Sequence, residues 1–370
     1  MKRFPAFDPP EYVSWQPDAA LVRRFRETIE SDAQRRTIVA QLSPDDLLRL
    51  YAGLVRARLH DVTLKRWVRT GVISKAWLGT GEEATTVGPV HALERGRDVV
   101  SPMIRNAAAC CELGMPVADM LRSYLATADS PNSGRDLHVG GMQYGVLQPI
   151  SHVGDVVPVT AGVALSFKLK GEPRVALTWI GDGSTKTAAA HEGMNFAAVQ
   201  RLPAIFVIQN NHVALGTRLE QHQLTGNFDD WAASYGVWGV RCDGNNVLDA
   251  FAATRLAAER CRAGNGPAVL VADTFRMGGH ATHDEREARE MFPPELFEAW
   301  GRRDPVGQYE EYLKETGVTA ARLGAVEADV TAEIERAERD ALASRERMPG
   351  GETALGGVYS SPNTFPEASR

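Results

Sequence analysis

In the stretch GDGSTKTAAAHEGMNFAAVQRLPAIFVIQNN, residues 181–211, an acidic residue sits between two glycines and the run closes on a pair of asparagines. The β-rich run RVALTWI (174–180) leads into the glycines, a helix is predicted over about 187–201, and PAIFVIQ (203–209) leads into the asparagines. Buried parallel sheets bind ligands beyond the carboxyl ends of their strands, and a helix N-terminus offers N–H groups to phosphate. Asp182 and Asn211 are therefore expected at one rim of one sheet. A carboxylate there would repel a diphosphate unless a cation stood between them. Magnesium suits that place, because it takes six oxygens and bridges one or two protein ligands to substrate phosphates. The Asp182 carboxylate, the Asn211 amide oxygen and a backbone carbonyl just beyond would be the protein's share of its shell.

Two other readings of the glycines fail. A dinucleotide fingerprint needs its third glycine where Lys186 stands, and a P-loop needs a glycine where Thr185 precedes Lys186 and Thr187. An ordinary strand-to-helix turn plus an ordinary Asn-Asn turn would share the short motifs. The strand, helix and strand between Asp182 and Asn211, 29 positions apart, favour the metal reading.

Further strands are predicted at VWGVRC (237–242) and PAVLVADTF (267–275), with a helix between them over about 247–262. Strands alternating with helices imply an α/β fold, a doubly wound parallel sheet covered on both faces. Ahead of it, SPDDLLRLYAGLVRARLHDVTLKRWVRTG (43–71) reads as an amphipathic helix, with Ser43 as N-cap, Pro44 at the first position and Gly71 beyond its end. Residues 1–16, rich in proline and aromatics, read as an arm lying on a surface. Residues 319–344 form the clearest helix of a charged C-terminal region. The expected division is an arm and helix (1–42), an α/β domain (43–300) and a helical region with a tail (301–370).

Composition narrows the classes of function. The chain has 370 residues, 44% hydrophobic and 24% charged, and a net charge of -6. It lacks the basic stripe of a nucleic-acid binder, so no nucleic-acid partner is expected. No run approaches the ~18 apolar residues of a membrane span, and the start has no apolar signal core. A cytoplasmic protein without membrane contact is expected. Cys110, Cys111, Cys242 and Cys261 form no CxxC pair and read as reduced core or helix residues.

The pattern GDG followed by NN resembles the thiamine diphosphate motif. The segments LLRLYAGLVRARLHD, GTGEEATTVGPVHAL, HEGMNFAAVQRLPAIFVIQNN, FRMGGHATHD and WGRRDPVGQYEEYL resemble the alpha subunit of the decarboxylating dehydrogenase component of 2-oxo acid dehydrogenase complexes, and GGVYSSPN resembles that family's terminal arm. The resemblance implies thiamine diphosphate and magnesium as cofactors. Asp182 and Asn211 would be side-chain metal ligands and Val213 a carbonyl ligand. Gly183 and Ser184 would give N–H groups to the diphosphate, and Arg105 and Arg276 would pair with it.

The loop ISHVGDVVP would bring Ser151 and Val153 to the aminopyrimidine end, and His280 would bind near the cofactor and act as the catalytic histidine. The resemblance further implies oxidative decarboxylation of pyruvate or a branched-chain 2-oxo acid, with acyl transfer to a lipoyl arm of an acyltransferase core. A separate beta subunit would complete an α2β2 heterotetramer. An acetoin-cleaving alpha subunit and a non-catalytic homologue are the alternatives.

Several positions depart from the family pattern. Ile104 replaces a usual tyrosine, Asn106 a usual acid, and Glu82 the glutamine of GQEA. Thr185–Thr187 brings in Lys186, a positive charge expected near the diphosphate, and Ala281 removes the loop serine and with it phosphorylation there.

Overall fold

The computed structural model describes residues 1–225 and 228–356. Five parallel strands form the central sheet: β1 (Val99–Ser101), β2 (Ala176–Gly181), β3 (Ala204–Asn210), β4 (Trp238–Asp243) and β5 (Ala268–Asp273), in spatial order β1-β2-β3-β5-β4. The four strands read from sequence are all present. β1 escapes a sequence reading because three residues show no period. Seven helices matter to the site and its support: α1 (Pro44–Arg69), α2 (Glu83–Ala92), α3 (Val156–Lys170), α4 (Ala188–Val199), α5 (Val247–Arg262), α6 (Pro305–Glu315) and α7 (Ala320–Ala343).

Alternation along the strands covers both faces of the sheet. Leu177 and Trp179 of β2, with Ile205 and Val207 of β3, pack on Ala250, Ala253 and Ala257 of α5. Ala176 and Ile180, with Phe206 and Ile208, pack on Val157, Ala161 and Ala164 of α3 and Met194 of α4. The Trp179 indole N–H donates to the Thr85 carbonyl at 2.7 Å, which ties β2 to α2. Such strands, buried on both faces, read as continuous apolar runs.

Both sheet edges are occupied by local chain. On the open side of β1, Val100 N–H donates to Gly145 O and Val100 O accepts from Leu147 N–H, both at 2.8 Å. At the far edge, Arg241 O of β4 accepts from Arg35 Nη2 at 2.6 Å, and Asp243 N–H donates to Asp249 Oδ2 at 2.7 Å.

The helix α1 begins as expected, with Ser43 and Asp46 forming a capping box after which Pro44 needs no donor. It is not amphipathic along its length, however. From Leu50 to Leu64 nearly every side chain is buried, including Arg58, His60, Asp61 and Thr63, because α2, α6 and α7 pack around it. The N-terminal arm also lies deeper than its composition suggests: Tyr12 is buried against Phe275, Met277 and Phe297. Cys110, Cys242 and Cys261 are buried and Cys111 partly buried, all as free thiols, and burial pushes Cys110 up to about 12. Among the described residues no helix is long and apolar enough to cross a membrane. The terminal segment GGVYSSPN, after its first residue Gly356, lies outside the described residues.

Candidate active site

Strand register brings the two motifs together. Gly181 of β2 stands opposite Gln209 of β3, so Asp182 and Asn210–Asn211 leave the sheet side by side. Asp182 is almost wholly buried, and its Oδ1 accepts from Gly183 N–H at 2.8 Å. Its Oδ2 is buried with no hydrogen-bond partner. Burial pushes the carboxyl up to about 6, with the Gly183 N–H opposing and the nearby Glu82 carboxylate adding to the rise. A buried carboxylate oxygen with no donor is costly unless something positive meets it.

The chain after β3 makes a tight reversal. Asn211 Oδ1 accepts from Val213 N–H at 3.4 Å, and His212 and Leu215 hold left-handed φ values of 70° and 54°. Non-glycine residues there carry strain, which clusters at ligand clamps. The turn lies directly over the GDG segment, since a Cβ on Gly183 would stand 2.4 Å from Ala214 Cβ. Only glycine fits at 183.

Beyond it Gly183–Lys186 forms a 3₁₀ turn, and α4 starts at Ala188 with Thr187 Oγ1 capping Ala190 N–H. One amide expected for phosphate, that of Gly183, already serves Asp182. The Lys186 ammonium bonds the Gln223 side chain, lies over the Phe228 ring at 5.2 Å and still feels the Asp182 carboxylate.

Two guanidiniums close the site. Arg105 Nη1 donates to Glu82 Oε2 at 3.3 Å and its Nη2 to His280 Nδ1 at 2.9 Å. Arg276 is buried and donates to two backbone carbonyls, Leu215 O at 3.1 Å and Gly278 O at 3.3 Å. Burial and then the charge of Arg105 hold Arg276 down at about 10. Two like charges this close, of which only Arg105 has a carboxylate in hydrogen-bond reach, favour an anion beside them.

His280 lies in the loop after β5, which is pinned by Met277 N–H to Thr80 O, Thr282 N–H to Ala76 O, and Asp284 accepting from His280 and Ala281 N–H. Burial, then Arg105 and Arg276, push His280 down to about 4. It is neutral at physiological pH, and because Arg105 can only donate, its proton sits on Nε2.

Asp182, Gly183, Asn211, Val213, Arg105, Arg276 and His280 thus come together. Ser184 lies in the same turn as Gly183, whereas Ser151 and Val153 are exposed on a neighbouring lip. That lip abuts the turn: Gly154 has φ 88°, and a Cβ there would meet Thr187 Oγ1 at 1.9 Å. Ser151 Oγ bonds His138 Nε2 at 2.9 Å, and His138 Nδ1 bonds Asp136 Oδ1 at 2.8 Å. Sequence reasoning missed this chain, and it missed His222, whose Nε2 lies 3.9 Å from Asp182 Oδ2 with neither ring nitrogen hydrogen-bonded. Neither has a signature, since the residues meet only through folding.

The residues fit a magnesium-bound diphosphate. Among the described residues no group of three or more His, Cys, Asp or Glu could hold a metal by itself. One carboxylate, one amide and one carbonyl leave further positions for phosphate and water, as magnesium usually does. The unsatisfied Asp182 oxygen would suit a cation, and the Arg105 and Arg276 guanidiniums an anion.

The chain resembles known proteins over most of its length. The model of the dehydrogenase E1 component family matches residues 53–349. The chain is 32% identical over 323 residues to the 2-oxoisovalerate dehydrogenase subunit alpha of Bacillus subtilis (strain 168), covering 86% of this chain and 96% of that protein. It is 30% identical over 316 residues to the pyruvate dehydrogenase E1 component subunit alpha of Bacillus cereus, covering 84% and 80%. It is 31% identical over 284 residues to the 3-methyl-2-oxobutanoate dehydrogenase subunit alpha of Mycobacterium tuberculosis (strain CDC 1551 / Oshkosh), covering 76% and 74%. With a parallel sheet that delivers Asp182 and Asn211 to one rim, and relatives of this kind over most of its length, the chain belongs to the dehydrogenase E1 component family.

Proposed function

We propose that this chain is the alpha subunit of a cytoplasmic 2-oxo acid dehydrogenase acting on pyruvate or a branched-chain 2-oxo acid. It binds thiamine diphosphate through magnesium, works with a beta subunit as an α2β2 heterotetramer, and passes the acyl group to a lipoyl arm of an acyltransferase core. The observation that carries this reading is the meeting of an unsatisfied Asp182 oxygen with two buried guanidiniums, Arg105 and Arg276. The names of the relatives, subunits alpha of 2-oxoisovalerate and pyruvate dehydrogenases, support it.

When bound, thiamine diphosphate supplies the electron sink for decarboxylation. Asp182, Asn211 and the Val213 carbonyl would hold the cation, and Arg105 and Arg276 would pair with the phosphates. The pinned loop 276–284 keeps water out. His280, neutral and protonated on Nε2, is a donor to charge developing on the substrate side. Ser151 and Val153 meet the other end of the cofactor.

The test is the native mass of the chain purified from its own cells, followed by a panel of 2-oxo acids with acetoin as control. A one-to-one partner, magnesium-dependent thiamine diphosphate binding and turnover of a 2-oxo acid are expected. A lone homodimer that does not bind the cofactor would overturn the reading.

Two further outcomes are expected. His280→Ala should keep cofactor affinity and lower lipoyl acylation by on the order of 100-fold, the usual worth of a general acid. Normal acylation would remove His280 from catalysis. The second outcome concerns pH. Because Asp182 lies at about 6 and must be ionised to hold a cation, magnesium affinity should fall as pH drops through 6. An affinity flat from pH 7 to 5, read by calorimetry, would contradict the metal role of Asp182.

A further inference from the structure

We infer that Glu82 is a positioning residue which fixes the way the Asn211 amide faces and thereby turns its oxygen to the cation. The inference rests on the cofactor reading above and extends it to a residue outside the ligand set.

Glu82 is 1% exposed, and its carboxylate meets three donors. Oε1 accepts from Gln209 Nε2 at 2.5 Å and from Asn211 Nδ2 at 2.8 Å, while Oε2 accepts from Arg105 Nη1 at 3.3 Å. An amide beside such an oxygen must present its NH₂ group. The Asn211 Oδ1 therefore faces away from Glu82, into the turn where Val213 N–H reaches it at 3.4 Å.

The direction of the whole chain is fixed from behind. Asn106 Nδ2 donates to Gln209 Oε1 at 3.0 Å and to Thr86 Oγ1 at 2.7 Å, so Gln209 has its own NH₂ left for Glu82. Asn106, Gln209 and Glu82 thus form a one-way series of donors and acceptors that ends on Asn211 and Arg105.

Two departures from the family pattern, Asn106 and Glu82, belong to this one series. A glutamine at 82 has one accepting oxygen and one NH₂ group. It can satisfy the two amides or Arg105, but not all three, and its NH₂ group would face another donor. An aspartate keeps the charge and loses the reach. Position, more than charge, is what the three bonds require.

The experiment uses the chain with its co-purifying subunit, stripped of cofactor, and reads thiamine diphosphate binding by calorimetry across a magnesium titration. Both Glu82→Gln and Glu82→Asp should raise the magnesium concentration for half-saturation by on the order of tenfold. Subunit mass and melting temperature are measured alongside, so that a variant which fails to fold is set aside and the other decides. Wild-type half-saturation in a folded variant of either kind would overturn the positioning role. If the unaltered protein fails to bind thiamine diphosphate at all, the cofactor reading fails and takes this role with it, so the two failures are distinguishable.

Discussion

Asp182→Ala is expected to abolish magnesium-dependent binding of thiamine diphosphate, weakening it by at least about 100-fold, which corresponds to ~2.7 kcal/mol. The carboxylate is the only charged side chain in the proposed ligand set, and its partners Asn211 and Val213 offer neutral oxygens. Without it, the cation would have to be held mainly by the diphosphate. The same variant should leave the unliganded fold intact or strengthen it. Burial raises the folded carboxyl from 3.8 to about 6, so ionised Asp182 opposes folding. With the folded pKa above the unfolded one, the folded state holds the extra proton, and this group's contribution declines as pH rises from about 4 to 6. At neutral pH the cost is of order 3 kcal/mol. Asp182→Asn should therefore melt higher than the unaltered chain in the absence of cofactor, and lose that advantage when cofactor and magnesium are added. Calorimetry and thermal melts read both halves. Unchanged cofactor affinity would sink the metal assignment, and a lower melting point without ligand would sink the account of its burial cost.

The second large effect is expected far from the cation. Arg58 of α1 is wholly buried, with Nε donating to Glu83 at 2.6 Å and Nη2 to Asp304 at 2.9 Å. Its guanidinium also stands 4.4 Å from the centre of the Tyr12 ring. Arg3 donates to the other Asp304 oxygen at 2.5 Å. The group joins the N-terminal arm, α1, α2 and the start of α6. Arg58→Met should cost about 3–5 kcal/mol in a denaturant titration, because the buried Glu83 loses its counter-charge and Asp304 keeps only Arg3. Arg58→Lys should recover little of it, since one ammonium cannot reproduce the forked contacts. Glu83 directly follows Glu82, so the loss should also loosen the Asn211 side of the site. A cost below about 1 kcal/mol would mean that the network is dispensable.

The sheet was legible because β2, β3 and β5 are apolar runs bounded by glycine, proline or polar pairs, and because Asp182 and Asn211 end adjacent strands. The proposed metal ligands and both arginines followed from motif resemblance, and the fold brings these residues to one place. What stayed hidden depends on contacts between distant segments. Glu82 is one letter away from a family pattern, and only the approach of Gln209 and Arg105 gives it partners. Lys186 turned toward Gln223 and Phe228, which sequence neighbours of Asp182 do not reveal. The polar residues of α1 looked like a solvated face, until the packing of α2, α6 and α7 made Arg58 a buried anchor.

The occupied sheet edges carry a consequence for how subunits can join. Exposed strands recruit other chains by extending the ladder, and that route also leads to aggregation. Here Gly145 and Leu147 take the free groups of Val100, while Arg35 and Asp249 take those of Arg241 and Asp243. Each flank is thereby partly blocked to an added strand. Association is then favoured through helical faces, where side chains rather than backbone choose the companion. Val159 and Leu169 of α3 and Phe196 and Val199 of α4 stand exposed on such faces. Recognition of this kind rests on shape and burial, so a single charged substitution at Phe196 or Val199 can alter the choice of companion while the sheet stays closed.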